Sequence, residues 1–466
     1  MDAQFLSRLQ FGLTIAFHYI FPPLSIGLGL ILVIMESMWL RTGKELYREM
    51  TKFWVKIFAL IFSIGVASGI VMEFQFGTNW AAYSRFVGDV FGSALAAEGI
   101  FAFFLESGFL ALLIFGWDRV GKKTHFLATV MVALGSTFSA IWIIVANSWM
   151  QTPAGYHIVA GPDGVLRAEV VDFRRVVFNY STLDRLWHTV MGAWQAGAWM
   201  VLSVSAYYLL KKRHVEFAKA SMRVALLVAL SASLLQLLSG HESAKITAHH
   251  QPAKMAAFEG HWHTAPAGLY LFGWYQPPAL DIPNAEGRVV GGVAVPGMLS
   301  WLIHGDVSVP VRGLEEFGQD IPPVGVVFQT YHAMVGIGMT LITLSLAGAF
   351  FWWRQSLWEK WWYLRVCVWA VLLPQAANQL GWYSAEVGRQ PWIVYGLMKT
   401  QDAISPGLKS GEIWASVVMF GVMYLLLFVL FVYLLDHKIR HGPDDIPVHG
   451  DPGDGMPLLQ GDRAGT

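Results

Sequence analysis

The chain has 466 residues, of which 55% are hydrophobic and 14% are charged, and it contains 21 Trp and 30 Phe. Soluble domains carry charge on about a quarter of their residues, whereas apolar runs long enough to cross a bilayer recur along this sequence. The net charge of zero argues against a nucleic-acid partner, and the single cysteine, Cys367, excludes intrachain disulfides and cysteine-ligated iron–sulfur clusters. The composition predicts an all-α polytopic membrane protein.

Nine transmembrane helices are predicted along the chain. The N-terminal sequence MDAQFLSRLQ lacks the basic region and cleavage site of a signal peptide, so the first apolar segment is expected to remain as a span. The predicted spans cover residues 10–38, 54–76, 93–117, 126–148, 184–210, 219–240, 327–353, 364–387 and 412–436. This pattern divides the chain into helices one to six (1–240), a long loop (241–326), helices seven to nine (327–440) and a solvated tail (441–466).

Lys and Arg determine the predicted orientation. They are concentrated in the short loops that follow spans one, three, five and seven and in the segment after span nine, for example Arg41, Lys123 and Lys212. Because short cytoplasmic loops are enriched in basic residues, the N-terminus is placed outside and the C-terminus in the cytoplasm. The connection 241–326 then lies outside, and it is too long for a simple turn, so we expect a folded or semi-ordered functional loop.

Several ionisable or metal-binding side chains lie within the predicted spans, where their cost favours a function. They are His18 on span one, Glu98 and Glu106 on span three, His188 on span five, Met334 on span seven, and Glu386 with Arg389 at the end of span eight. Each has a structural alternative. The histidines can be hydrogen-bonded core residues, Met334 can be a core methionine, Glu386 and Arg389 can form an ion pair at i, i+3, and the glutamates can bridge helices.

The predicted depth of these residues favours a shared site. In the predicted orientation His18, Glu98, His188, Met334 and Glu386 all fall in the outer halves of five different spans. A set of His, Met and carboxylate side chains without Cys fits the axial positions of haem. Arginine beside such a site can pair with haem propionates, so Arg389 is interpreted as a propionate partner rather than as the salt-bridge partner of Glu386.

Long motifs resemble the large subunit of cytochrome bd-type quinol oxidases. The matching stretches, which extend to about residue 436, are SRLQFGLTIAFHYIF, FQFGTNW, AAEGIFAFFLES, ANSWMQTPAGY, QPAKMAAFEG and GWYSAEVGRQPW. The resemblance implies nine transmembrane helices in the bacterial inner membrane and a homologous membrane subunit II, with a small single-helix subunit as a further option. It also implies a periplasmic quinol-binding loop, which corresponds to residues 241–326.

The resemblance assigns roles to individual residues. His188 and Met334 match the two axial ligands of a low-spin haem b, and His18 and Glu386 match ligands of a high-spin haem b and of a haem d or a third haem b. Glu98 matches a carboxylate beside that di-haem site, and Trp382, one turn before Glu386, fits between cofactors. Lys254 and Glu259 match residues that bind quinol.

Two departures from the family pattern bear on the cofactors. His332 stands where the family often has arginine, two residues before Met334, and the outer loop lacks a long charged insertion. Together they resemble the short-loop branch called cyanide-insensitive oxidase. The choice between haem d and a third haem b therefore stays open, as does the assignment of His18 and Glu386 to their respective haems.

The implied activity is oxidation of ubiquinol or menaquinol at the outer face and reduction of oxygen to water, with protons taken from the cytoplasm to generate a proton motive force. Asp118, Glu106 and Ser139, ending at Glu98, are candidates for the proton path. The alternatives are a non-redox transporter or channel that uses the intramembrane carboxylates, and a haem-binding membrane sensor.

Overall fold

The computed structural model describes residues 2–161, 164–278 and 286–444. Long helices dominate this part of the chain, and most of the predicted tail lies outside the described residues. The helices are α1 (Ala3–His18), α2 (Phe21–Thr42), α3 (Glu45–Thr78), α4 (Ala81–Glu98), α5 (Phe104–Phe115), α6 (Lys122–Gln151), α7 (Phe173–Val177), α8 (Thr182–Leu210), α9 (Val215–His250), α10 (Pro252–Glu259), α11 (Met298–His304), α12 (Val324–Trp353), α13 (Trp361–Ala370), α14 (Leu372–Val387) and α15 (Ser410–His441).

Three of the predicted spans are interrupted helices. The first breaks after His18 because Pro22 and Pro23, at the start of α2, have no N–H to donate to the preceding turn. The third contains a π-helical turn, Gly99–Phe103, between α4 and α5. The eighth breaks between α13 and α14, where Pro374 lies in the first turn of α14. These interruptions lie close to the functional residues, as π-turns often do.

Length and hydropathy support seven of the nine predicted spans within the described residues. The two that do not meet these criteria are α8 and the broken pair α13–α14. α8 is rich in Ala, Gly and Ser and is almost entirely buried from Val190 to Ala206, so it packs against protein rather than lipid. The all-α membrane fold is thus confirmed, while the count of nine spans and the orientation stay predictions.

Small residues allow close packing between α2 and α8. A Cβ atom added to Gly27 would lie 2.7 Å from the backbone nitrogen of Gly197, so the two helices approach each other at their backbones. Such contacts between small residues are typical of helix pairs in membranes. They place α8, which carries His188, in the centre of the bundle.

The segment between α9 and α12 is folded. After α10, strands β3 (Leu269–Gln276) and β4 (Arg288–Val295) form an antiparallel hairpin, followed by α11. β3 is attached to α12 by the Gln329 side chain, which donates to the carbonyl of Gly273 at 3.0 Å. Two hairpins that the sequence did not predict are β1–β2 (Tyr156–Ala160, Leu166–Val170) and β5–β6 (Trp392–Val394, Met398–Lys399).

Candidate cofactor and quinol site

One cavity of about 1890 Å³ brings the predicted residues together. This volume exceeds the range of about 300–1,000 Å³ that is typical of a pocket for one small ligand, so the cavity has room for more than one large cofactor. Its wall includes His18, Glu98, Glu106, Ser139, His188, Lys254, Glu259, Met334, Trp382, Glu386 and Arg389. Asp118 does not line it: its side chain is 81% exposed and forms an ion pair of 2.7 Å with Arg48.

His18 lies at the end of α1, at the proline break. The Ser68 hydroxyl is 3.0 Å from Nδ1 of its ring. Gly69 leaves space for the imidazole, because a Cβ atom there would lie 3.2 Å from the ring carbon Cε1. A hydrogen bond to one ring nitrogen orients a histidine whose other nitrogen binds a metal, so the geometry suits an axial ligand.

His188 on α8 and Met334 on α12 line the same cavity. Ser239 lies 2.9 Å from Nδ1 of His188, and the side-chain nitrogen of Gln236 lies 2.9 Å from Nε2. Ligation through Nε2 therefore requires Gln236 to turn away. Met334 lies beside Gly381 of α14, where an added Cβ atom would be 2.8 Å from the Met334 sulfur.

Glu386 is held by polar groups of two helices. Its Oε1 accepts hydrogen bonds from Asn147 and Gln151 of α6, at 3.0 and 3.1 Å. Its Oε2 forms an ion pair of 2.6 Å with Arg389. The interpretation that these two residues are not each other's salt-bridge partner is therefore wrong, because their i, i+3 spacing brings the groups into contact.

Arg185 belongs to the site, although the sequence analysis did not identify it. It precedes His188 by one helical turn, and its guanidinium donates to Asn147 Oδ1 at 2.5 Å. Together with Arg389 it places two guanidinium groups beside the single carboxylate of Glu386. Nε of Arg185 and both Nε and Nη1 of Arg389 are buried without a partner among the described residues. Unpaired buried guanidinium donors are costly, so this region is built to receive anionic groups.

Lys254 and Glu259 lie on α10, in the folded segment between α9 and α12. Lys254 donates to Gln251 at 2.6 Å and also contacts Gln151 of α6. Burial, followed by the nearby Arg185 charge, lowers the pKa of Lys254 well below its usual value. Burial raises the pKa of Glu259 to about 8, against the opposing effect of a hydrogen bond from the Tyr270 N–H. The Glu259 Oε1 atom has no hydrogen-bond partner among the described residues.

Glu98 and Glu106 lie on opposite sides of the π-helical turn. The Ser139 hydroxyl of α6 donates to Glu98 at 2.5 Å, which joins these two members of the predicted proton path. Glu106 packs against Gly135 of α6, where an added Cβ atom would lie 3.3 Å from the Glu106 nitrogen. Glycine at this position provides the space for the carboxylate.

Comparisons with known proteins agree in one family. The model of the cytochrome bd terminal oxidase subunit I family matches residues 6–443. The cytochrome bd ubiquinol oxidase subunit 1 of Bacillus subtilis (strain 168) is 40% identical, and the alignment covers 97% of this chain and 98% of the relative. The cytochrome bd-II ubiquinol oxidase subunit 1 of Escherichia coli (strain K12) is 36% identical, with coverage of 94% and 96%. The solved bd oxidase of Geobacillus thermodenitrificans superposes with a TM-score of 0.85 at 28% identity, covering 95% of this chain and 99% of that one.

Proposed function

Because the chain belongs to the cytochrome bd terminal oxidase subunit I family, we propose that its large cavity holds three haems beside a quinol site. Family membership makes the chain a subunit of a quinol oxidase, a multi-pass protein of the bacterial inner membrane that works with a subunit II on quinol and oxygen. The non-redox transporter and the haem sensor considered from the sequence are therefore not retained. The observation that carries the proposal is the convergence of every proposed ligand on one cavity.

His188 and Met334 would hold the low-spin haem b, and His18 and Glu386 would hold the high-spin haem b and a haem d or third haem b. Bound haem supplies one-electron transfer and, where one axial position is open, a place for oxygen. The residues fit this group. The cavity is large and has predominantly apolar walls, histidines oriented by serine hydroxyls line it, and unpaired buried guanidinium donors suit propionate carboxylates. Trp382, one turn before Glu386 on α14, lines the same cavity.

Arg185 and Arg389 would bind haem propionates. Carboxylates bound there would offset the excess of buried cations around Glu386, and guanidinium groups bind carboxylates through two parallel hydrogen bonds. Arg389 can keep its bond to Glu386 through Nη2 while the unpartnered Nη1 or Nε donates a single hydrogen bond to a propionate carboxylate. Both proposed roles of Arg389, as ion-pair partner and as propionate partner, are thus compatible.

Lys254 and Glu259 would bind the quinol headgroup and take its protons. The unpartnered Oε1 of Glu259 is positioned to accept a proton from a quinol hydroxyl. A pKa of about 8 matches this task, because a general base works best when its pKa is near the ambient pH. The protons would leave at the outer face. Ubiquinol and menaquinol are both candidate donors.

The protons consumed in reducing oxygen would come from the cytoplasm. Glu106 of α5, Ser139 of α6 and Glu98 of α4 all line the cavity, and the exposed Asp118 follows α5. Uptake from inside combined with quinol oxidation outside would generate a proton motive force. The resemblance to the short-loop branch extends this proposal to cyanide-insensitive turnover. Mass analysis of the purified complex tests for a small single-helix subunit.

A visible spectrum and a pyridine haemochrome assay of the purified two-subunit complex test this function. We expect a Soret band and three haems per complex, with the haemochrome bands distinguishing haem d from a third haem b. The absence of a Soret band would overturn the proposal. Oxygen uptake with ubiquinol and menaquinol identifies the preferred donor, and its cyanide dependence tests the branch.

A further inference from the structure

A buried cluster of polar residues lies outside the cavity, between α2, α5 and α6. Nδ1 of His125 is 2.6 Å from Oε1 of Glu36, and the Thr129 hydroxyl donates to the other carboxylate oxygen. Nε2 of His125 is 3.2 Å from the carbonyl of Leu113. The side chains of Glu36 and His125 are 0% and 1% exposed. An ionisable pair buried in a membrane helix bundle indicates function.

The hydrogen bonds define how many protons the pair holds. A carbonyl can only accept, so Nε2 of His125 carries a hydrogen. The hydrogen bond between Nδ1 and Oε1 then needs one further proton, carried either by Nδ1 of His125 or by Oε1 of Glu36. With that proton on either atom the pair is neutral, which makes full burial tolerable. If the proton left, the carboxylate would remain buried as an unpaired charge.

Aromatic rings separate this pair from the basic surface. The Trp117 ring lies 3.9 Å from the His125 ring, and Trp39 packs against Trp117 at 6.0 Å. Charged groups surround these rings. Lys122 and Arg48 lie over the Trp39 ring, and Lys52 lies over the Trp117 ring. Arg48 pairs with Asp118, and Lys52 pairs with Glu49. The cluster is therefore one aromatic layer beneath the loops that the sequence places in the cytoplasm.

One face of α6 leads from the cluster to the cavity. His125, Thr129, Ser136 and Ser139 follow the spacing of three, four and seven residues that keeps side chains on one side of a helix. Thr129 contacts Glu36, and Ser139 contacts Glu98 at the other end. The seven residues from Thr129 to Ser136 span about 10 Å. Val132 occupies this face between them, so a proton needs water to cross that turn.

We propose that the Glu36–His125 pair is a proton-holding site that supplies Glu106 from the cytoplasmic side. The proton moves from the Nδ1–Oε1 hydrogen bond toward Glu106, and the pair regains a proton from water at the inner surface. Thr129 is a positioning residue, because its hydroxyl fixes the carboxylate in line with His125. The inference rests on the proton uptake proposed above and adds its inner end.

Glu36→Gln in the assembled two-subunit oxidase tests this role. Glutamine keeps an acceptor for Thr129 and a partner for His125, but it cannot carry the transferred proton. We expect an unchanged haem spectrum and quinol KM, with oxygen uptake slower by about tenfold or more and a larger solvent deuterium isotope effect. Proton uptake from the inner side should slow in parallel, and Glu36→Asp should restore part of the rate. Glu49→Gln, a buried carboxylate on neighbouring α3 that pairs with Lys52, is the matched control and should turn over like the parent.

The other outcomes also decide the question. Full turnover of Glu36→Gln alongside a slow Glu106→Gln variant would overturn this inference and leave the proton path intact, whereas full turnover of both would remove the path itself. If Glu36→Gln does not assemble with haem, Thr129→Val replaces it. A slower rate and a larger isotope effect in assembled Thr129→Val support the proposal, and parent-like turnover assigns the cluster a structural role.

Discussion

At the residue scale, the charges around Glu386 are not balanced within the chain. Arg185, Lys254 and Arg389 are near it, and among the residues that the structure describes only Arg389 forms an ion pair with it. Arg185 instead uses one guanidinium nitrogen for the neutral oxygen of Asn147 and leaves Nε without a partner. Buried cations of this kind persist when a second anion binds them, because an unpaired buried charge costs several kcal/mol.

Replacing Arg185 should weaken haem retention. Arg185→Met keeps an unbranched apolar stem but removes charge-assisted hydrogen bonds worth about 1.5–3 kcal/mol each. We expect the haem-to-protein ratio of the purified complex, measured as the pyridine haemochrome, to fall on dilution in detergent. Arg175→Met is the control, since the Arg175 side chain is 78% exposed on α7. Equal haem retention in the two variants would exclude Arg185 as a propionate ligand.

The raised pKa of Glu259 predicts a pH dependence of quinol oxidation. Only the deprotonated carboxylate can accept a proton, and burial raises its pKa to about 8. kcat/KM for quinol should therefore rise with pH from 6 and level off above about 8, following the deprotonated fraction. Glu259→Gln should lose this limb together with most of the rate. Glu242→Gln, which changes a half-exposed carboxylate of α9, should keep the full profile, and an unchanged profile in Glu259→Gln would contradict the assignment.

At the scale of helices and strands, the sequence predicted the presence of the long helices and missed their interruptions. Hydrophobicity along the chain is insensitive to a π-helical turn, because Gly99–Phe103 is as apolar as a regular helix. Pro22 and Pro23 follow His18 closely, but proline is also common in the first turn of a helix, so their presence alone did not predict a break inside span one. The hairpins lie between the apolar spans, where hydropathy along the chain gives no signal for them.

The site was predictable where a residue type is rare inside a membrane. His18, His188 and Glu386 are conspicuous there, and a family resemblance added Lys254 and Glu259. Asn147, Gln151 and Gln236 are neutral amides with no such signal, and their role depends on which helix faces meet. Arg185 is the second residue of predicted span five, and an arginine at the end of a span is commonly exposed to water, so its position did not indicate a buried site. The Glu36–His125 pair spans 89 positions, which only the packing of α2 on α6 brings together.

The close approach of α2 and α8 predicts a strong size limit at Gly27. In Gly27→Ala the new methyl would lie 2.7 Å from Gly197 N and 2.9 Å from its Cα. Both atoms are backbone, so the helices must separate, at a cost of about 1–3 kcal/mol. We expect a lower melting temperature of the detergent-solubilised complex. Gly88→Ala on α4, where nothing lies within 4 Å of the added carbon, should melt at or above the parent temperature, and equal melting of both variants would contradict the packing argument.

At the scale of the whole molecule, burial separates inner from outer helices. The most apolar windows of α12 and α15 are only 17% buried, whereas that of α9 is 50% buried. Such open, apolar helix faces suit lipid or a second membrane subunit, as expected for a family that works as a two-subunit complex. The ionisable residues of the membrane helices instead converge on the cavity, so the lipid-facing surface is apolar and the charged groups are gathered inside.

The orientation of the molecule determines which side supplies the protons, and the single cysteine makes it directly testable. Cys367 is buried, so the parent chain should not react with a membrane-impermeant maleimide. Ser308 lies in the exposed loop between α11 and α12, and Thr124 lies at the exposed start of α6, so each can be replaced by cysteine. In right-side-out spheroplasts we expect labelling of Ser308→Cys alone, with Thr124→Cys reacting only after the membrane is opened. The reverse pattern would place the basic loops outside and would put the Glu36–His125 pair on the wrong side for proton uptake.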